Sequence, residues 1–77
     1  MDDIMPVYEI RLHGHIDARR ARQFAGLTLT LLPEGETLLT GPVVDQAALY
    51  GILARIRDMG MPLIEVKRLP LSPEFSQ

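Results

Sequence analysis

The sequence predicts an α+β domain with the element order βαββαβ, in which four antiparallel strands ordered 4-1-3-2 carry two helices on one face. Three stretches carry that expectation. Residues 45–59 read as a strongly amphipathic helix closed by Gly60 and Pro62, residues 8–15 alternate apolar and polar side chains, and residues 27–40 hold two β-favouring runs around Pro33, Glu34, Gly35 and Glu36.

In the first strand Tyr8, Ile10 and Leu12 fall on one face and Glu9, Arg11, His13 and His15 on the other, the pattern of a half-buried strand. Asp17 stands where it can cap a short helix over residues 18–25, with Ala21 and Phe24 turned inward and Gly26 as the stop. Leu27, Leu29 and Leu31 then alternate with Thr28 and Thr30 as a second strand. After the turn, residues 37–40 resume as a third strand, which Gly41 and Pro42 are expected to break.

Asp45 is the N-cap of the long helix, on whose wheel Leu49, Ile52, Leu53 and Ile56 cluster with Ala48 and Met59 beside them, so this stripe faces the sheet. In the last strand Ile64 and Val66 are expected to point inward, opposite Leu63, Glu65 and Lys67. The expected core is one cluster of Ile10, Leu12, Leu29, Leu49, Ile52, Leu53, Ile56, Ile64 and Val66.

This arrangement is ferredoxin-like, and because the first crossover is short, a three-stranded meander with one helix is the alternative. The domain is expected over residues 8–69, after an N-terminal extension at 1–7 and before an extended or mobile tail at 70–77. In that tail Pro70 and Pro73 exclude helix and central strand, while Leu71 and Phe75 are apolar enough to dock on a surface.

At 77 residues the chain has room for a single small core, and such cores lean on disulfides, metals or association. With no Cys and two His, association is the support that remains, and a homodimer is expected. Eight basic residues against ten acidic ones create no global field for nucleic acid or an anionic membrane. The acidic start, Met1-Asp2-Asp3, and the lack of an apolar run near the roughly 18 residues that span a bilayer favour a cytoplasmic location.

Residues 8–69 contain Gly14-His15-Ile16-Asp17, Phe24-Ala25-Gly26-Leu27-Thr28, Thr40-Gly41-Pro42-Val43-Val44-Asp45-Gln46-Ala47-Ala48-Leu49 and Gly60-Met61-Pro62-Leu63-Ile64-Glu65-Val66. In these motifs the chain resembles a family of short bacterial proteins without an assigned activity, a resemblance that transfers no catalytic residue. Its architecture is also similar to ACT-type regulatory domains, with the long helix standing second rather than first; fold alone confers no function.

His13 and His15, two apart on a strand, leave the same face with Asp17 just beyond, and neutral imidazole is both a metal ligand and a base near neutral pH. A third ligand is lacking and Asp17 is occupied as a cap, so no metal or cofactor is expected. The histidines read as solvated or locally hydrogen-bonded, with polar ligand contacts by His13, His15 and Arg11 as the functional alternative. Arg19, Arg20, Arg22, Arg55 and Arg57 would lie on the helical layer, suited to carboxylate or phosphate or else solvated beside partners such as Asp58. The open sheet face offers no aromatic pair for stacking bases, and the loop at residues 40–45 lacks the glycines and lysine of a phosphate loop.

Opposite the apolar stripe of the long helix stand Ala47, Gly51, Ala54 and Asp58, an unusually bare outer face. Gly51 in mid-helix costs about 1 kcal/mol relative to Ala, which suggests close approach of some backbone. Ala47, Gly51 and Ala54, with Tyr50 as an anchor at their edge, are the expected homodimer interface. The function expected is a non-enzymatic binding or regulatory module that works as a homodimer, with a small polar ligand near the open sheet face or the Gly41-Pro42 loop. The alternative is a small dimeric enzyme using His13 or His15 as an acid-base group.

Overall fold

Two strands occupy the middle of the sheet, β1 (Val7–His13), which buries Ile10 and Leu12, and β3 (Glu36–Pro42), which buries Thr37 and Leu39; they are antiparallel, with Ile10 opposite Leu39 and Leu12 opposite Thr37. The computed structural model describes residues 6–70. β2 (Thr28–Leu32) flanks β3 and β4 (Leu63–Leu69) flanks β1, both antiparallel, so the order β2-β3-β1-β4 is the expected one counted from the opposite edge. Leu29, Leu39, Ile10 and Val66 stand in register across all four strands and form one apolar row.

Between β1 and β2 lie α1 (Ala18–Ala21) and a 3-10 turn (Arg22–Phe24), and α2 (Gln46–Asp58) joins β3 to β4. Asp17 and Asp45 cap the helices as expected: the Arg20 N–H donates to Asp17 Oδ1 at 2.9 Å and the Ala48 N–H to Asp45 Oδ1 at 2.8 Å. Phe24 from the 3-10 turn, Leu49 and Ile56 from α2, Ile16 and Val43 from the loops, and Ile10, Leu12 and Leu39 from the sheet form one buried cluster. Leu29, Ile52, Leu53 and Val66 pack around it half-buried. Each fully buried Ile or Leu contributes about 1.5–3 kcal/mol, which makes this cluster the main support of the domain.

Three expectations are corrected. Ile64 is 46% exposed and stands outside the cluster, because the register of β1 and β4 shifts between Arg11 and Leu12. Glu65 then pairs with Arg11 while Leu63 pairs with Leu12, so the extra residue at 64 breaks the alternation. The first helix is α-helical only over Ala18–Ala21, after which the 3-10 turn tightens the chain and sets Phe24 at 3% exposure. Gly41 and Pro42 do not break β3; Pro42 is its last residue, opposite Val7, where the missing N–H costs least. The expected extension over residues 1–5 and the tail beyond Pro70, with Leu71 and Phe75, lie outside the described residues.

A candidate groove between the 3-10 turn and α2

Gly26 adopts φ +95°, a left-handed value that turns the chain out of the 3-10 turn and into β2. The following backbone lies directly on Gly41, where a Cβ would meet Leu27 Cδ2 at 2.8 Å, the Gly26 carbonyl oxygen at 3.0 Å and Leu27 Cα at 3.2 Å. The start of β2 is thereby held against the end of β3. Beyond Pro42 the Val43 N–H donates to the Pro6 carbonyl at 2.9 Å, which buries Val43 and leaves Val44 63% exposed.

α2 runs past this corner without closing it. The space between holds about 460 Å³, lined by Phe24, Leu27, Val43 and Ile52, with Ala48 and Gly51 along the helix and Gln23 and Arg55 as its polar side chains. Gly51 has nothing within 4 Å of where its Cβ would stand. Within the described chain no backbone approaches it, and a helix-weakening residue is left facing open space. Arg55 is exposed and has no ion pair among the described residues, whereas Arg57 pairs with Asp58 at 3.2 Å.

The three residues expected to touch a polar ligand lie elsewhere. Arg11 sits on the open sheet face with Nη1 3.5 Å from Glu36 Oε1, and Lys67 pairs with Glu9 at 3.7 Å on the same face. His13 is exposed there, opposite Glu36. His15 is tied down: its Nε2 donates to the Leu32 carbonyl at 3.0 Å, which places that ring proton on Nε2 because a carbonyl can only accept. The Gly14 N–H donates to the Gly35 carbonyl at 2.7 Å, so the loop after β1 is stitched to the β2-β3 turn. Neither histidine lines the groove, and among the described residues no three His, Cys, Asp or Glu side chains gather to hold a metal.

The four residues expected at an interface divide between two faces. Gly51 lines the groove, while Ala47 and Tyr50, the latter 60% exposed, stand on the neighbouring face of α2 with half-buried Ala54. Gln23, Leu27, Val43 and Arg55 were not singled out as groove residues in the sequence. The signals that pointed towards them were Gly51 in mid-helix and the Gly41-Pro42 pair, of which Pro42 borders the same space.

The family model described as Domain of unknown function (DUF8691) matches residues 7–67, a span that contains β1 to β3, α2, most of β4 and every groove residue. No curated protein and no solved structure matches the chain.

Proposed function

We propose that this chain, which belongs to that family of domains of unknown function, is a non-enzymatic binding module whose working surface is the groove between the 3-10 turn and α2. The observation that carries the reading is Gly51. A glycine in mid-helix sacrifices about 1 kcal/mol relative to Ala, and nothing within the described chain occupies the space it leaves. A groove of about 460 Å³ with apolar walls and few polar groups has the size and character of a small-molecule site. The enzyme reading has less support, since both histidines stand away from the groove and His15 is engaged in holding a loop.

Chemical-shift mapping with a panel of small organic probes tests this reading. Perturbations should gather on Phe24, Val43, Gly51 and Ile52, and should vanish in Gly51→Leu, which fills the space while favouring the helix. Perturbations spread over the surface, or gathered elsewhere and untouched by that substitution, would sink it.

Within the same reading the domain is ferredoxin-like, with both helical segments on one sheet face; the cluster shared by Phe24, Leu49 and Ile56 with Ile10 and Leu39 supports it. It works in the cytoplasm as a homodimer through Ala47, Tyr50 and Ala54, for which the exposed aromatic ring of Tyr50 is the supporting observation. Sedimentation of the parent and of Tyr50→Glu decides the assembly. The parent should be dimeric at micromolar concentration and the variant monomeric, and a monomeric parent removes the dimer.

A further inference from the structure

The geometry points to an apolar carboxylic acid as the ligand of the groove, its hydrocarbon body against Phe24, Leu27 and Ile52 and its carboxylate on the guanidinium of Arg55. This rests on the reading of the groove as a binding site and adds the chemical class. Among the described residues Arg55 is the only charged one that lines the groove, Gln23 supplies an amide, and the remaining lining is apolar or backbone. Among the described residues no acidic side chain lines it, and Asp45, next to the lining residue Val44, already accepts the Ala48 N–H at 2.8 Å.

On the α1 side of the groove exposed arginines outnumber the one exposed carboxylate, the cap Asp17. Arg22 precedes Gln23 in the 3-10 turn and is exposed, and Arg19 and Arg20 are exposed one turn earlier in α1. Arg55 has no counter-charge among the described residues, and a carboxylate in the groove supplies one where a neutral apolar ligand does not. A carboxylate meets the planar fork of the guanidinium through two parallel hydrogen bonds and its single charge is matched by one arginine, whereas a phosphate, which takes the same fork, would bring close to two negative charges to that one cation. The space, about 460 Å³ and open along one side, suits a compact body such as a phenyl ring or a medium-length alkyl chain.

The test is an NMR titration of the full chain with 3-phenylpropionate and octanoate, each against its primary amide, in the parent, Gly51→Leu, Arg55→Gln and Arg55→Lys. The acids should bind at least about tenfold more tightly than the amides, with shifts at Gly51, Ile52 and Phe24. Arg55→Gln should erase the difference between acid and amide, Arg55→Lys should keep part of it, and Gly51→Leu should abolish binding of both while its spectrum stays that of a folded domain. Equal binding of acid and amide in the groove would overturn the carboxylate assignment and leave the binding-module reading standing. Failure of every probe to bind at millimolar concentration would overturn the assignment too, and the organic-probe map then decides the fate of the groove separately. Acid binding that Gly51→Leu leaves intact would overturn both.

Discussion

The hydroxyl of Thr37 donates to the carbonyl oxygen of Gly14 at 2.6 Å, joining the start of β3 to the loop that follows β1. Thr37 is completely buried and lies in register with Leu12, so its hydroxyl has no access to water and the Gly14 carbonyl is its recorded partner. Thr37→Val keeps the shape and removes the donor; it should destabilise the domain by about 1–3 kcal/mol in urea denaturation, whereas Thr37→Ser should cost less because the donor is retained. Equal midpoints for Val and the parent would show that the bond contributes nothing net.

Two glycine-to-alanine changes should have opposite signs. At Gly41 the new methyl meets the Gly26 carbonyl oxygen at 3.0 Å, a backbone atom that cannot swing away, and a loss of about 1–3 kcal/mol is expected. At Gly51 the methyl enters open space and helix propensity improves by about 1 kcal/mol. Thermal melts of the two variants beside the parent check both, and a lower melting temperature for Gly51→Ala would reveal a packing role that the geometry does not contain.

Ile56→Ala and Ile64→Ala should separate cleanly. Ile56 is 2% exposed in the cluster and its truncation should cost about 2–5 kcal/mol, enough to threaten a domain of this size. Ile64 is 46% exposed at the register shift, and its truncation should stay within about 0.5 kcal/mol. Comparable losses at the two positions would mean that Ile64 is buried in solution by something outside the described residues.

The histidines are expected to differ in stability and to agree in ligand binding. His15→Ala removes the bond to the Leu32 carbonyl and should cost about 0.5–1.5 kcal/mol, while His13→Ala on the open face should be nearly neutral. Neither should change the affinity of the groove for any probe. A lost affinity in His13→Ala would return that residue to the candidate site.

The sheet was legible because alternation in β1 and the Leu-Thr alternation of β2 each encode one face, and because the capped stripe of α2 can cover only an apolar sheet face. The inward row of β4 was not. A bulge belongs to a pair of strands, so the alternation of residues 63–67 alone carries no mark that Leu63 rather than Ile64 stands opposite Leu12. The candidate site was hidden for a related reason. Its walls come from residues 23–27, 42–44 and 48–55, three stretches with no shared motif, and their meeting depends on Gly41 admitting the backbone of Gly26 and Leu27. Gly51 and the Gly41-Pro42 pair were conspicuous beforehand, and a bare glycine does not say whether backbone or empty space lies opposite.

The placement of β1 between β3 and β4 has a consequence for synthesis on the ribosome. β1 is the first strand of this sheet to emerge from the exit tunnel, yet its partner on one side is Glu36–Pro42 and on the other Leu63–Leu69, the last strand among the described residues. Until β4 has left the tunnel, one whole edge of β1 keeps its amide and carbonyl groups unpaired, and Ile10 lacks its cross-strand neighbour Val66. Closing that pairing spans nearly the whole described chain, so its loop entropy is met only when translation of the domain is complete. The nascent sheet therefore waits with its central strand half-paired, and β4 completes the four-stranded sheet in a late step.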